Sequence, residues 1–580
     1  MANSPTLSLR LRMIVGELIL LVLAVIDRSL RSLTGGLLRL SANRPRRPTA
    51  AAFARQAAAA AAPLPAAPPP APGTVFTVDA VIIGGASSGV AAAAALATRG
   101  IVAAVLDRRA RPGDGWRTRY ASLHLHDLVD ECCLPFMPLP TSLPTYVPAA
   151  VFADYLDAYA LLQRLDWRGG HDVVSVDRRE GDRAATGGGA AAWRVTARVG
   201  GGATVFYDAP TVVFADGGLY NSPHVPDFAA RHAGYTGAIL HSSSISAADG
   251  SCAARFRGAR VVVVGFGNSA SDVVQELVAA PAAEVVVAVR NPASRPLAPQ
   301  ADVGRFQETN HSYPWLVSAW GDAAADRLER AAAAAPPLGG PVAAAAAAVL
   351  RAAAGGVNLL LDAALAARAL RAWGDLAPYG LDALPGDGAS SPVQWTKATA
   401  AVMQMDTGAV DLIKAGAARV VRAGVAALGP GLTAAFDDGT TLAGVDAVVL
   451  CTGFDTMTQP AALLKCDRVK RALGVTPRGG LGLAPGTFLV KPADATGPIE
   501  SGKRTPVPGL YFVVGRIAAV AESVLTLADN VAADAAAQRG AARLCRRRGA
   551  TLLPGPGPDD MPHAPSQRRD EGGAVVGNGG

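Results

Sequence analysis

The sequence predicts an α/β fold built on two Rossmann-like dinucleotide-binding domains. Three observations predict it. Twice the chain passes from a short apolar run through a glycine-rich turn into a helical stretch and out into a second apolar run, the order of a βαβ unit. The two turns open at Gly84 and Gly265, about 180 residues apart, so the units are separate domains rather than one repeat. Half of the residues are hydrophobic and 17% are charged, a balance that buries a core instead of leaving the chain disordered.

Ahead of these units lies a leader, residues 1–74. It carries the apolar stretch MIVGELILLVLAVI (13–26), preceded by Arg10 and Arg12 and interrupted by Glu17. A spanning helix needs about 20 apolar residues, so this stretch is short for one. It reads as a signal anchor, a membrane-surface helix or part of a transit peptide, with a helix packed on the body as the plainer alternative. The expected location is the endoplasmic reticulum membrane or the cytoplasm, with the plastid as the alternative. The prolines of AAAAAAPLPAAPPPAPG (57–73) mark a linker. Residues 1–78 hold nine Arg, no Lys and two acids, whereas 79–580 hold 45 basic and 45 acidic residues. The excess charge therefore sits in the leader. The neutral body has no basic stripe with interleaved aromatics, which argues against nucleic acid.

The first unit runs from a strand at 76–83 through Gly84-Gly85-Ala86-Ser87-Ser88-Gly89 and a helix at 88–98 to a strand at 101–106. Glycines are needed here to turn sharply, to let backbone approach a pyrophosphate and to pack helix on strand. Phosphates then meet the unpaired N–H groups of the helix N-terminus. Gly84 and Gly89 fill the outer positions, and Ala86 stands where the middle glycine is usual. Asp107, 23 residues after Gly84, is placed to hold ribose hydroxyls. The plainer alternative is an Ala-rich helix after a tight turn that holds no ligand.

In the second unit VVVV (261–264) enters Gly265-Phe266-Gly267-Asn268-Ser269-Ala270, which satisfies G-x-G-x-x-A. A helix to about Ala279 and the strand 284–289 follow. Arg290, 25 residues after Gly265, ends that strand. A cation there selects the 2′-phosphate of NADPH; otherwise Arg290 is a solvated surface residue. The Ala-rich segment 322–376, with PPLGGP at 336–341, reads as helices broken by a turn, and the tail from about Arg546 as disordered. None of the six cysteines forms a C-x-x-C pair. Zinc knuckles and dithiol chemistry are therefore not indicated, no metal site is expected, and free thiols are the reading.

The order of these motifs resembles the flavin-containing monooxygenases, and most closely their plant YUCCA branch. The resemblance rests on GWRTRYASLHLH (115–126), CCLPFMPLP (132–140), Pro144-Thr145-Tyr146, FADYLDAYA (152–160), YTGAILHSSSI (235–245), MDTG (405–408), DLIKAG (411–416), LCTGF (450–454) and GLYFVVG (509–515). It implies FAD at the first turn and NADPH at the second, with the NADPH domain inserted into the FAD domain. The implied boundaries are 75–245 and 446–545 for the FAD domain and 246–445 for the NADPH domain. Trp116 and His126 join the turn residues as cofactor-binding positions. The implied chemistry is reduction of FAD by NADPH, reaction with dioxygen and transfer of one oxygen atom to a small-molecule substrate. The YUCCA branch implies indole-3-pyruvate, converted to indole-3-acetate in auxin biosynthesis; soft nitrogen or sulfur nucleophiles or ketones are the alternative. The flavin carries such chemistry, so no catalytic side chain is named. His241 is read either as a brace between the domains or as a hydrogen-bonded core histidine. The sequence departs from the family pattern at Ala86, at Ala121, in Phe214-Ala215-Asp216-Gly217 where A-T-G is usual, at Tyr235 and at Ile245. Two other readings share the fold: a disulfide reductase, which needs a dithiol, and a membrane-associated pseudoenzyme that binds nucleotides without turnover.

Overall fold

A computed structural model describes residues 70–140, 142–179, 193–232, 234–246, 251–290, 297–299, 369–382, 404–484 and 497–548. The first strand, β1 (Val75–Thr77), is followed by β2 (Ala80–Ile83). The apolar run 76–83, expected as one strand, is thus split, and β1 pairs with another sheet. The break falls at Asp79, whose carboxylate accepts the Val102 N–H at 3.1 Å. All four residues of β2 are buried, as expected of a parallel strand covered on both faces. The turn at Gly84 leads into helix α1 (Ser87–Ala97) and back to β3 (Ala103–Leu106), which lies parallel to β2 in the register Ala80↔Ala103.

Helix α2 (Ala149–Leu162) leads to β4 (Asp166–Arg168) at the edge beyond β3. Strands β5 (Asp172–Arg178), β6 (Trp193–Val199) and β7 (Ala203–Ala209) form an antiparallel meander. With β1 they make a four-stranded sheet. The chain then re-enters the first sheet as β8 (Thr211–Phe214), parallel to β2.

A crossing segment carrying β9 (Ser222–Pro223) leads to the second parallel sheet. It contains β10 (Ala238–His241), β11 (Arg260–Val264), helix α3 (Asn268–Ala279), β12 (Glu284–Ala288) and, beyond the short pair β13 (Leu297–Pro299) and β14 (Gln404–Asp406), helix α4 (Ala409–Lys414) and β15 (Arg419–Val421). An antiparallel trio follows: β16 (Val425–Gly429), β17 (Thr433–Phe436) and β18 (Thr441–Leu442). Then β19 (Ala447–Leu450) inserts between β10 and β11. The return crossing carries β20 (Phe454–Asp455), which pairs with β9, so the two crossings are stitched together. Last come β21 (Leu510–Phe512), parallel to β8, and helix α5 (Ile517–Arg548).

The first sheet runs β21-β8-β2-β3-β4 and the second β10-β19-β11-β12-β15. Every strand of the second lies in sequence between β8 and β21. The fold is two Rossmann-like domains, one inserted into the other. Alternation of side chains sorts each core. Ala80 and Ile82 face the helices α1, α2 and α5, whereas Val81 and Ile83 face the antiparallel sheet. Val261 and Val263 face α3 and α4, while Val262 and Val264 face the trio β16–β18. Helix α1 buries Val90, Ala91–Ala95 and Leu96. Its alanines favour the helix and let α5 approach closely; α5 offers Val520, Val524, Leu527 and Val531 at helical spacing. No helix among the described residues is long and apolar enough to cross a membrane. Residues 1–69 of the leader, most of the Ala-rich segment and the tail beyond Arg548 lie outside the described residues.

Candidate functional site

Strands β2 and β11, one in each parallel sheet, both end at their carboxyl edge in a turn that only glycine can open. Gly84 has φ +96°, and a Cβ there would stand 2.5 Å from the Asp216 Cα and 2.6 Å from the Ala215 carbonyl oxygen. Gly265 has φ +94°, and a Cβ there would stand 2.9 Å from the Cys451 carbonyl oxygen. Both are left-handed conformations that side chains disfavour. A Cβ on Gly89 would overlap the Gly84 carbonyl, and one on Gly85 would overlap the Trp167 indole. Ala86 is different. As N-cap of α1 it has φ −82° in extended backbone, so its methyl costs no backbone strain.

The helices behind the turns present free N-termini. Neither Ala86 nor Gly267 offers a capping side chain, and neither α1 nor α3 has an acid in its first turn. Leading N–H groups left without acceptors, aided by the helix dipole, suit an anion. Ser87, Ser88, Phe266, Gly267, Asn268 and Ser269 stay partly exposed, whereas Ala270 is buried. Asn268 accepts the Met405 N–H at 2.9 Å, tying the second turn to β14.

Asp107 sits at the end of β3, with Oδ2 accepting the Gly85 N–H at 2.7 Å and Oδ1 the Arg109 N–H at 2.8 Å. A carboxylate has about four lone-pair sites, so each oxygen keeps room for a further donor such as a hydroxyl. Trp167 on β4 donates its indole N–H to the Gly85 carbonyl at 3.0 Å and so roofs this corner; sequence pattern offered no signal for it. Arg290 is exposed at the end of β12, its stem beside Gly424, with no ion pair among the described residues. A solvated arginine and a phosphate reader are both compatible with that placement.

The other two sequence-derived positions are Trp116, held by an aromatic contact, and His126, beside a carboxylate. Trp116 packs edge-on against Phe152, ring centroids 5.3 Å apart, over the helix-side core. His126 places Nε2 3.6 Å from Asp272 Oδ2 on α3. Asp272 is the centre of a junction between the domains. Tyr120 donates to its Oδ2 at 2.5 Å and Thr407 to its Oδ1 at 2.9 Å, while Ser122 hydrogen-bonds Glu276 one turn further along α3. Burial and the neighbouring carboxylate push the Tyr120 phenol far above its ordinary value, so it stays a donor. Asp406, in the MDTG stretch, caps α4 by accepting the N–H groups of Gly408 at 3.0 Å and Ala409 at 3.1 Å, and receives the Ser271 hydroxyl at 2.8 Å.

His241 ends β10, and burial lowers its pKa. Nε2 donates to the Gly453 carbonyl at 2.9 Å and Nδ1 accepts from the Ser243 hydroxyl at 2.8 Å. Thr452 donates to the His224 carbonyl at 2.5 Å. The histidine is therefore satisfied and at the same time braces the two crossings; with both nitrogens occupied it is not placed as a general base. Ile245 is buried in the core beside Tyr120, and Tyr235 is buried with its hydroxyl on the Val445 carbonyl at 2.8 Å. Both departures are thus absorbed by packing.

The flavin-binding monooxygenase-like family matches residues 97–304. Indole-3-pyruvate monooxygenase YUCCA1 of Oryza sativa subsp. japonica is 34% identical over 183 residues, 31% of this chain and 40% of that protein. YUCCA6 of Arabidopsis thaliana is 33% identical over 184 residues, again 31% of this chain and 40% of that protein. Flavin-containing monooxygenase 1 of Mus musculus is 30% identical over 168 residues, 28% of this chain and 29% of that protein. The matched stretch thus spans about two-fifths of the length of the plant relatives. Among solved structures, a flavin-containing monooxygenase from Stenotrophomonas maltophilia aligns with a TM-score of 0.44 at 19% identity, covering 82% of this chain and 100% of its own.

Proposed function

We propose that this chain, a relative of the flavin-containing monooxygenases similar to their YUCCA branch, is an FAD- and NADPH-dependent monooxygenase. The observation that carries the reading is the pair of uncapped helix N-termini behind glycine turns, one at the carboxyl edge of each parallel sheet, held together by the Tyr120–Asp272 junction. Ligands of such sheets bind outside the carboxyl ends of the strands.

The residues present fit both groups. At the first turn Gly84, Gly85 and Gly89 clear a cradle that side chains would fill, the N–H groups at Ser87, Ser88 and Gly89 meet the diphosphate of FAD, and Asp107 keeps lone pairs for its ribose. At the second turn Gly265, Gly267 and the start of α3 meet the diphosphate of NADPH, and Arg290 reads its 2′-phosphate. When bound, these groups supply hydride transfer and the activation of dioxygen. The chain's own part is to align them and to exclude water. Tyr120 and Asp272 hold α3 against the segment 115–126, His126 lines that junction, and His241 with Thr452 fixes the angle between the crossings. Trp116 supports the first site through Phe152.

The finer proposal is oxidative decarboxylation of indole-3-pyruvate to indole-3-acetate, supported by the likeness to the YUCCA proteins. The test is a purified, full-length protein. Flavin absorbance and NADPH-dependent oxygen uptake support the monooxygenase, and a panel of indole-3-pyruvate, a tertiary amine and a cyclic ketone assigns the substrate. A colourless protein that takes up no FAD refutes it.

A further inference from the structure

The short helix Asp114–Arg117 gathers cations of two kinds. Arg111 and Arg117 are paired. Arg117 reaches Asp114 at 2.9 Å, Asp154 at 2.7 Å and Asp157 at 2.9 Å, and Arg111 reaches Asp114 at 3.2 Å. Arg109 and Arg119 are not. Both are half-buried, yet neither has an ion pair or a side-chain hydrogen bond among the described residues. The Arg109 guanidinium lies against Gly115, its Nη1 3.6 Å from where a Cβ would stand. The helical turn runs on past Arg117, with the Thr118 N–H on the Asp114 carbonyl and the Arg119 N–H on the Trp116 carbonyl, each at 3.1 Å. Arg119 therefore stands four residues after Gly115, on the side of the turn that Arg109 covers.

This side of the turn lies between the domains. Arg109 follows the carboxyl end of β3, and Arg119 precedes Tyr120, whose hydroxyl is bound to Asp272 of the other domain. The charge of Arg119 is felt at His241, at the carboxyl end of β10. The acids at hand are engaged, Asp114 with Arg111 and Arg117, Asp272 with Tyr120 and Thr407. A guanidinium partly out of solvent and without an acid is unfavourable, and two of them on one side of a turn more so. The pair calls for an anion from outside the chain. In the reading above, both diphosphates meet helix N-termini and the 2′-phosphate meets Arg290, which leaves this pair for the substrate. A planar guanidinium matches a carboxylate through two parallel hydrogen bonds.

We propose that Arg109 and Arg119 bind the carboxylate of the substrate, so that the protein acts on organic acids in preference to neutral ketones or amines. This rests on the reading of the chain as an FAD- and NADPH-dependent monooxygenase and names the substrate class of that site.

The test is binding of two acid–amide pairs to the purified, full-length protein by isothermal titration calorimetry: indole-3-acetate against indole-3-acetamide, and phenylacetate against phenylacetamide. Each amide keeps the shape of its acid and lacks the charge. The expected result is that the native chain binds an acid at least about tenfold more tightly than its amide. Arg109→Met and Arg119→Met should each bring that ratio within about threefold by weakening the acid alone, with flavin content and NADP+ affinity unchanged. Equal binding of acid and amide by the native chain, binding of neither pair, or a preference that survives either substitution overturns the proposal. Loss of flavin or of NADP+ binding in either variant also overturns it, because the cation would then belong to a dinucleotide. A native chain that holds no flavin overturns the reading as a monooxygenase, and the proposal falls with it.

Discussion

Replacing Gly84 by alanine tests the first turn most directly. At φ +96° a side chain costs about 1–2 kcal/mol of backbone strain. The new methyl would also stand 2.5 Å from the Asp216 Cα and 2.6 Å from the Ala215 carbonyl oxygen. Both are main-chain atoms beside a central strand and cannot rotate away. Relieving that overlap moves β8 from β2 or opens the turn, at about 1–3 kcal/mol. The combined penalty is about 2–5 kcal/mol and falls on the conformation that holds the ligand, so FAD affinity drops at least about thirtyfold. Ala86→Gly is the matched control. Ala86 already has φ −82°, and glycine is a better N-cap than alanine, so affinity is not lost and stays within about threefold. The assay is FAD titration of apoprotein by fluorescence quenching, with the thermal midpoint of each variant recorded alongside. Binding by Gly84→Ala within twofold of the native chain would refute the argument, since neither the strain nor the overlap would then bear on the site.

Arg290→Ala should raise the KM for NADPH about tenfold or more while leaving that for NADH nearly unchanged, as loss of a charge-assisted hydrogen bond requires; equal loss with both coenzymes shows that Arg290 is only a surface residue. Tyr120→Phe removes a buried hydrogen bond to a charged group, worth about 1.5–3 kcal/mol. A double-mutant cycle with Asp272→Asn, read on the unfolding midpoint, should show coupling above about 1 kcal/mol, and additivity would dissolve the proposed junction. Asp406→Ala uncaps α4 and should cost about 1–2 kcal/mol, seen as a lower thermal midpoint with flavin content unchanged; loss of flavin instead would place Asp406 in the first site's support.

The sequence by itself determined what depends on near neighbours. Gly84, Gly89, Gly265 and Gly267 with their flanking apolar runs announced two βαβ units, because a tight turn, a helix start and a buried parallel strand each have a local residue requirement. Asp107 and Arg290 were legible by their distance from those glycines, since a crossover of fixed length brings the end of the second strand beside the turn. Only the tertiary structure decided the rest. It split β1 from β2 and laid an antiparallel sheet over the outer face of each parallel one, which spacing along single strands does not encode. It set Trp167 on Gly85, 82 positions away, and Tyr120 on Asp272, 152 positions away. It packed Trp116 on Phe152 and brought His126 to Asp272, and it showed that Ala86 sits unstrained. Those outcomes turn on contacts between segments far apart in the chain, where burial and hydrogen bonding are settled by packing rather than by the order of residues.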